Sequence, residues 1–410
     1  MPEARLRCRS CGEPGLEVVL SLGHTPLANA LLDETELAGP EPTYPLELAF
    51  CSSCTLLQIT ESVPPEKLFR EYPYFSSFSD TMLRHAKALA DELTTERRLG
   101  SGKLVIEVAS NDGYLLQFYK AAGIRVLGIE PALNIAGVAE ERGIPTLAEF
   151  FGTELADRLR GAGERAAVLH AHNVLAHVPD LNGFVRAIGT VLADDGVAVI
   201  EVPYARDMIE RCEFDTIYHE HLCYFSVTSL VRLFERHGLR IQHIQRVPIH
   251  GGSLRLRVVF PSRVAAAPTV TALLEEERDW GMASVDVYRA FSGRVRELKT
   301  ALLGLLARLR SNGGRIAAYG ASAKGSTLLN CFGIGGETLE FIVDRSTVKQ
   351  GRYAPGTHLP IVPPERLLET MPTHVLLLTW NFADEILTQQ AEYRRRGGRF
   401  IVPLPTPQIL

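Results

Sequence analysis

Two histidines, a glutamate and two tyrosines lie together in FDTIYHEHLCYFS, residues 214–226. Such a group suits a proton-transfer site, a metal site or a polar patch on a helix. His219 and His221 have Cys223 nearby but no third histidine or cysteine pair to complete a metal site, so we do not expect a metal there. An imidazole has an unperturbed pKa of about 6.5, which suits a general base near neutral pH. We therefore expect proton transfer in this stretch, with His219 in a structural role.

Four cysteines near the start of the chain form two C-x2-C pairs, Cys8 with Cys11 and Cys51 with Cys54. Two such pairs can complete a tetrahedral zinc site. Four thiolates leave no open coordination position, so the zinc would be structural rather than catalytic. A segment of about 60 residues has a thin core, for which a metal crosslink would compensate. The alternative is a set of reduced structural or redox-active cysteines.

The composition, with 46% hydrophobic and 22% charged residues, is that of a globular protein, and 410 residues allow two or three domains. The formal net charge of −5 argues against broad binding to nucleic acid or to anionic membranes. The first residues carry no long apolar run, and no stretch of about 18 uncharged apolar residues follows. We expect a cytoplasmic protein without a membrane span, either a monomer or a small homo-oligomer.

Strands and helices alternate from about residue 80, which predicts a parallel, doubly wound α/β sheet. The segment KLVIEVASNDGYLLQFYKAAG has the pattern of a strand, a turn and a helix, and IRVLGIEP has that of the next strand. Residues 271–310 carry a long helical pattern that Gly281 and Gly293 could interrupt. A second α/β unit begins at GRIAAYGASAKGS.

The first glycine turn, EVASNDGYLL, lets a ligand approach the backbone between a strand and a helix. Glu130 ends the next strand seventeen residues beyond Gly113, where a carboxylate can accept both ribose hydroxyls of an adenosine. A dinucleotide site would show G-x-G-x-x-G, whereas this turn has one glycine and Asp112, which should repel phosphates. S-adenosylmethionine (SAM) is cationic at sulfur and has no phosphate, so it fits this turn better than NAD.

The predicted SAM contacts extend along the ends of three strands. They are Glu107, Ala109, Ser110, Asn111, Asp112, Gly113, Glu130, Pro131, Asn173 and Val174, with Phe150 and Phe151 as candidates to flank the adenine. The two phenylalanines would fit the hydrophobic core equally well.

The second glycine turn, YGASAKGS, holds Lys324 between small residues, and Asp344 ends the strand that follows. Three interpretations stay open: a second dinucleotide domain, a site for the phosphates of a nucleotide-linked substrate, or a remnant of the fold without a ligand. The candidate substrate contacts are Tyr319, Gly320, Ser322, Lys324 and Asn330, together with His250 and Ser253 of the segment IHGGSLR.

Seven motifs in order along the chain resemble those of the zinc-containing, SAM-dependent sugar C-methyltransferases of deoxysugar biosynthesis, of the D-tetronitrose C-3'-methyltransferase type. These motifs are the two cysteine pairs, YPYFSS, EVASNDGYLL, HNVLAHVPD, YHEH and YGASAKG. The resemblance spans essentially the whole chain. It implies a zinc-binding domain at residues 1–70, a Rossmann-like SAM-dependent methyltransferase domain at 71–260, and a linker helix with a C-terminal Rossmann-like domain at 261–410.

The resemblance also implies a dTDP-linked 4-keto-deoxysugar that receives a methyl group at C3. A carbon beside a ketone can lose its proton because the enolate spreads its charge onto the carbonyl oxygen, so the reaction needs a base and a donor but no metal. By resemblance His221 is the base. Tyr218 would share a helix face with it and orient the sugar or donate to the enolate oxygen, and Glu220 would hold the imidazole or a hydroxyl. Three more residues are implied: Tyr72 and His177 in the active site, and Tyr74 as a contact of SAM.

Two other enzymatic functions are compatible with these motifs. One is methylation at C5 of a similar sugar. The other is an NAD-dependent nucleotide-sugar oxidoreductase that uses the C-terminal glycine turn, which would leave Asp112 unexplained. A non-enzymatic alternative is a zinc-knuckle interaction module fused to inactive α/β domains, which predicts no SAM binding.

Overall fold

The structure, a computed structural model, describes residues 6–69, 76–78, 80–248, 252–261 and 266–410. Tyr72, Tyr74 and His250, three of the predicted site residues, lie outside these ranges. None of the helices in the described ranges combines the length and the apolar composition that crossing a membrane requires.

The strands of this part of the chain are mostly short and rich in Val, Ile and Leu. They are β1 (Glu17–Thr25), β2 (Tyr44–Phe50), β3 (Leu57–Ile59), β4 (Leu104–Val108), β5 (Arg125–Ile129), β6 (Thr146–Leu147), β7 (Ala166–His172), β8 (Leu192–Pro203), β9 (Cys223–Tyr224), β10 (Arg240–Val247), β11 (Ser253–Val259), β12 (Ile316–Tyr319), β13 (Ile342–Val343), β14 (Ile361–Val362), β15 (His374–Leu377), β16 (Arg399–Val402) and β17 (Gln408–Ile409).

The helices alternate with the strands through most of the chain. They are α1 (Pro65–Phe69), α2 (Asp80–Glu96), α3 (Leu116–Ala121), α4 (Leu133–Glu141), α5 (Thr153–Gly161), α6 (Leu181–Val191), α7 (Ala205–Glu210), α8 (Val227–Arg236), α9 (Pro268–Trp280), α10 (Val285–Ser311), α11 (Ala323–Phe332), α12 (Arg366–Thr370), α13 (Ala383–Gln389) and α14 (Ala391–Arg395). One-turn 3-10 helices lie at Ser76–Phe78, Leu175–His177, Phe214–Thr216 and Trp380–Phe382.

The N-terminal sheet is antiparallel, with the strand order β1-β2-β3-β9. Its last strand, β9, belongs to the histidine-rich stretch 214–226, and it pairs Leu57 with Tyr224. The backbone N–H of Ile59 also donates to the carbonyl of Leu222 over 3.0 Å. The N-terminal sheet therefore includes the end of the stretch that carries His221.

The central sheet has the order β10-β11-β8-β7-β4-β5-β6. Strands β6, β5, β4, β7 and β8 are parallel, whereas β11 and β10 form an antiparallel edge. All five residues of β4 are buried, as expected for a central parallel strand covered on both faces. The direction of winding reverses between β4 and β7, so the loops that follow these strands open a crevice at one edge of the sheet. The predicted doubly wound α/β fold is confirmed.

The C-terminal sheet has the order β14-β13-β12-β15-β16-β17 and is parallel except for β17. Its winding reverses between β12 and β15, next to the second glycine turn. Gly320 there has a φ of 95°, and a side chain at this position would collide with Thr379. The glycine thus allows β12 and the end of β15 to approach each other closely.

Two helical predictions had different outcomes. The long helical pattern is interrupted at Gly281, which takes a left-handed conformation with φ 89° at the end of α9, whereas α10 continues through Gly293. The prediction that Tyr218 and His221 share a helix is wrong, because the chain forms a non-helical turn between the 3-10 helix Phe214–Thr216 and β9.

Candidate active site

The imidazole of His221 is held at both nitrogens. Its Nδ1 lies 2.9 Å from the carbonyl oxygen of Thr216, and its Nε2 lies 2.9 Å from the hydroxyl of Tyr218. Because a carbonyl can only accept, Nδ1 carries the hydrogen, and Nε2 offers a lone pair to the hydroxyl of Tyr218. In a helix the Thr216 carbonyl would accept the backbone N–H of residue 220. Here it accepts the hydrogen bond from the His221 side chain instead. The turn nevertheless brings the two predicted rings to a centroid distance of 4.1 Å.

His177 packs against His221 from the loop that follows β7. The ring centroids lie 4.8 Å apart with an interplanar angle of 73°, and the N–H of Leu222 donates to the carbonyl of Ala176 over 2.7 Å. Burial lowers the pKa of His177 to about 4, although backbone contacts with Glu220 and Asn173 oppose the shift. His177 is therefore neutral near pH 7 and places no positive charge beside His221.

The N-terminal domain holds the two residues between Tyr218 and His221. The side-chain amide of Asn29 donates to Glu220 Oε1 over 2.6 Å. His219 Nε2 donates to the carbonyl of Pro45 over 3.1 Å, and His219 is fully buried. This backbone contact accounts for the structural role that the sequence suggested for His219.

A small cavity of about 20 Å³ lies beside His221. Met208 and Tyr224 provide part of its apolar wall, and Glu213 and Thr216 contribute polar groups. Burial raises the pKa of Glu213 to about 7, with repulsion from nearby Asp215 adding to the shift and Lys324 opposing it.

The C-terminal domain contacts the short segment that orients His221. Phe214 stacks on Phe332 of α11 with a centroid distance of 4.7 Å. The indole N–H of Trp380 donates to Asp215 Oδ2 over 2.7 Å, and Asp215 is fully buried. Since the next residue, Thr216, accepts the hydrogen bond from His221, these contacts connect the C-terminal domain to the imidazole.

The first glycine turn is built from left-handed residues at the carboxyl end of β4. Ala109, Asn111 and Gly113 have φ values of 55°, 49° and 78°. A Cβ on Gly113 would lie 2.7 Å from Ile144, so only glycine fits there. Glu130 supports the turn by accepting the N–H of Asn111 and that of Ala132, each over 2.9 Å. Each carboxylate oxygen has a further lone pair available for a ribose hydroxyl.

The carboxylate of Asp112 has partners within the protein. Its side chain is fully buried, and its Oδ2 lies 2.9 Å from Arg142 Nη1 and accepts the hydroxyl of Ser77. Its charge is therefore compensated, so the argument that Asp112 repels phosphates is wrong. Asn111 likewise accepts the backbone N–H of Ser76 over 2.8 Å. The turn thus anchors Ser76 and Ser77, the last two residues of YPYFSS.

The other predicted SAM contacts lie around the same edge of the central sheet. Glu107 is fully buried, and burial followed by repulsion from Glu130 raises its pKa well above the ordinary value. Asn173 has a φ of 53° and donates its N–H to the carbonyl of Glu201 over 2.8 Å. Phe151 packs edge-on against Phe184 of α6 at 5.3 Å, a core contact. The remaining residues are Ser110, buried in the first turn, Pro131 after β5, Phe150 in the loop before α5, and Val174 after β7.

The side chains of the second glycine turn mainly serve the fold. Ser322 caps α11 by accepting the N–H of Gly325 over 3.0 Å, and Asp344 accepts the N–H of Ala321 over 2.7 Å. Asn330 donates to the carbonyl of Pro355 over 3.0 Å. Three more predicted substrate contacts, Tyr319, Gly320 and Ser253, are buried at strand ends. Their roles in binding remain predictions.

Lys324 faces the central domain. Its Nζ lies 4.0 Å from Glu213 Oε2 and 5.0 Å from the centroid of the Trp380 ring. The lysine therefore already has an anionic and an aromatic partner.

The four N-terminal cysteines form one cluster. Their Sγ atoms all lie within 4.8 Å of one another, with 3.4 Å between Cys8 and Cys54 and 3.5 Å between Cys11 and Cys51. A tetrahedral zinc with Zn–S bonds of about 2.3 Å needs sulfur separations of about 3.8 Å, so the cluster fits this metal. Left-handed Gly12 and Thr55 close the two turns. Since all four ligands come from the chain, the zinc is structural.

Several residues that shape the site were not predicted. Asn29 and Trp380 act across domain boundaries, and Thr216 acts through its backbone carbonyl. No local pattern marks such contacts. Glu213 and Asp215, in contrast, are acids next to or within the quoted stretch, and their proximity to two histidines was a usable signal.

Comparison with known proteins agrees with this organisation. Family models match a "Putative zinc binding domain" at residues 8–69, a "Methyltransferase domain" at 82–244 and a "C-methyltransferase C-terminal domain" at 248–405. The C-methyltransferase NovU of Streptomyces niveus is 37% identical over 407 residues, which cover 98% of this chain and 96% of that protein.

Solved structures were also compared. Magnesium protoporphyrin IX methyltransferase ChlM of Synechocystis PCC 6803 with bound SAM is 14% identical and has a TM-score of 0.33, over 43% of this chain and 79% of that chain. The glycopeptide N-methyltransferase MtfA complexed with SAM is 12% identical and has a TM-score of 0.34, over 43% and 94% of the two chains. On the family models and its similarity to NovU over nearly its full length, this chain belongs to the zinc-containing, SAM-dependent C-methyltransferases.

Proposed function

We propose that this enzyme methylates C3 of a dTDP-4-keto-deoxysugar, and that His221 removes the C3 proton. The observation that carries the proposal is the position of the hydrogen on the His221 imidazole. Nδ1 carries it and donates to the Thr216 carbonyl, which leaves Nε2 with a lone pair. Proton removal from a carbon beside a ketone requires a neutral base with such a lone pair. The C3–H bond breaks, the proton goes to Nε2, and the electron pair enters the enolate before C3 forms its bond to the methyl group.

Tyr218 would act at the ketone. In this structure its hydroxyl donates to Nε2, the atom that would take the proton. We propose that the hydroxyl turns to the C4 oxygen when the sugar binds, which frees Nε2 and stabilises the enolate charge. Glu220, fixed by Asn29, would accept a hydroxyl of the sugar. His177, which is neutral, would border the site without competing for the proton.

The crevice between β4 and β7 would hold the methyl donor. The left-handed backbone of residues 109–113 and the carboxylate of Glu130 suit an adenosine, and Asn173 and Val174 border the same edge. SAM, when bound, supplies an electrophilic methyl group and leaves as S-adenosylhomocysteine.

The C-terminal domain would bind the nucleotide. We propose that residues 1–70, 71–260 and 261–410 act as zinc, methyltransferase and nucleotide-sugar domains. The second glycine turn would lie close to the phosphates. The contacts of Phe214 and Asp215 with the C-terminal domain support an arrangement in which the sugar reaches His221 from that side.

The test is incubation with SAM and a panel of dTDP-4-keto sugars, followed by mass spectrometry and NMR. We expect a mass gain of one methyl group, located at C3. Methylation at C5 would correct the position, and a nicotinamide-dependent redox change without methyl transfer would favour the oxidoreductase alternative. No mass gain with any sugar of the panel would contradict the proposal.

A further inference from the structure

We propose that Glu213 binds a hydroxyl group of the substrate's sugar ring in the cavity beside His221. This inference rests on the proposed function, because it takes the substrate to be a sugar whose reacting carbon reaches His221. Glu213 would then determine which sugars the enzyme accepts, through a contact separate from the proton-transfer residues.

The first observation is the state of the carboxylate. Glu213 is only 5% exposed, yet its Oε1 is buried and makes no hydrogen bond within the described ranges. Arg211 Nη1 lies 3.9 Å from Oε1, and Lys324 Nζ lies 4.0 Å from Oε2. Both distances exceed those of hydrogen bonds. A buried acceptor without a donor is costly in a folded protein, so such an atom often marks the position of a ligand group.

The second observation is the space that Glu213 lines. The cavity of about 20 Å³ also borders His221, Thr216 and Met208. This volume accommodates one group the size of a water molecule. A hydroxyl is small enough and also supplies a donor, whereas a methyl group would leave the carboxylate without a partner.

The surrounding charges keep this carboxyl group close to its point of ionisation. Burial raises the pKa of Glu213 to about 7, Asp215 and Asp207 add to the shift, and Lys324 and Arg211 oppose it. A hydroxyl that donates to the ionised form would stabilise that form. Binding of the sugar therefore favours the carboxylate and strengthens its own hydrogen bond.

The test combines three sugars with three variants. The sugars are dTDP-4-keto-6-deoxyglucose and its 2-deoxy and 3-deoxy counterparts, which remove the two ring hydroxyls one at a time. The variants are Glu213→Leu, which has no hydrogen-bonding group, Glu213→Gln, which keeps an acceptor oxygen, and the control Glu210→Leu at an exposed position of the same helical region. Affinity is measured by calorimetry with S-adenosylhomocysteine present, so binding is measured independently of turnover.

We expect Glu213→Leu to weaken binding of the sugar with both hydroxyls about 10- to 100-fold, the loss typical of one hydrogen bond to a charged acceptor. Glu213→Gln should lose less, and Glu210→Leu should bind as the wild type does. One deoxy sugar should bind equally to the wild type and to Glu213→Leu, because it lacks the hydroxyl that Glu213 contacts. The affinity for S-adenosylhomocysteine should not change in any variant.

Two outcomes would overturn the inference while leaving the proposed function intact: unchanged affinity in Glu213→Leu, or an equal loss for all three sugars. If Glu213→Leu fails to fold, the same comparison with Glu213→Gln decides, and an equal loss for all three sugars again overturns the inference. Binding of all three sugars without any methyl transfer contradicts the proposed function alone. A wild type that binds none of them overturns both.

Discussion

Loss of the zinc should strongly slow methyl transfer without abolishing SAM binding. The perturbation is Cys54→Ser, which removes one of four clustered thiols. Three of the hydrogen bonds between the N-terminal domain and the stretch around His221 run from Asn29 to Glu220, from His219 to Pro45 and from Ile59 to Leu222, in addition to the pairing of β3 with β9. These three bonds, two neutral at about 0.5–1.5 kcal/mol each and one charged at about 1.5–3 kcal/mol, together contribute about 2.5–6 kcal/mol.

That free energy sets the size of the effect. Each 1.4 kcal/mol is a factor of about ten in an equilibrium, so losing about 2.5 kcal/mol lowers the equilibrium constant for ordering the stretch about 60-fold. We expect turnover to fall about 60-fold or more. The affinity for SAM should stay within about twofold of the wild type, because the first glycine turn belongs to a different sheet.

The assay measures zinc content, turnover, SAM affinity by calorimetry, and amide hydrogen exchange at residues 218–224. Cys331→Ser is the matched control, since Cys331 lies in α11 outside the cluster. Exchange at 218–224 should accelerate in Cys54→Ser only. A folded, zinc-free variant with normal turnover would refute the reasoning, and an equal loss of SAM binding would show general unfolding instead.

Three further predictions follow from single contacts. Trp380→Phe removes the indole N–H that donates to Asp215, so kcat should fall about tenfold. Trp280→Phe is the control, and an unchanged kcat in Trp380→Phe would disprove the link between Trp380 and His221. His177 has a folded pKa of about 4 against about 6.5 when unfolded. The unfolded state therefore binds the proton first as pH falls from about 6.5 to about 4, and the protein loses about 3 kcal/mol of stability over this interval. In urea unfolding at several pH values, His177→Gln should lose less stability over this interval, and an identical pH dependence would contradict the assignment. Glu130→Gln should weaken SAM binding about tenfold in calorimetry because it removes the charge that supports the first turn, and full affinity would place the ribose elsewhere.

Features fixed by neighbouring residues could be predicted from the sequence. The two cysteine pairs indicated one cluster because each C-x2-C turn already points two thiols in one direction. The doubly wound sheet followed from the alternation of apolar strands and helices, and Glu130 was correctly placed at the end of a strand next to the first turn.

Contacts between distant segments could not be predicted in this way. Asn29 and Glu220 are 191 residues apart, and Trp380 and Asp215 are 165 residues apart. The proximity of Tyr218 and His221 was predicted for the wrong reason, because a non-helical turn, in which His221 bonds the Thr216 carbonyl, brings the two rings together instead of a helix. Asp112 was misinterpreted because its cationic partner, Arg142, lies on another helical segment.

The most direct test of the central claim follows the proton itself. The enzyme is incubated in D2O with S-adenosylhomocysteine and a dTDP-4-keto-6-deoxysugar, so that deprotonation can occur without methyl transfer, and deuterium at C3 is measured by NMR and mass spectrometry. The wild type should incorporate deuterium at C3, and His221→Asn should not, although both bind S-adenosylhomocysteine and the sugar equally. Deuterium incorporation by His221→Asn at the wild-type rate would contradict the assignment of His221 as the base.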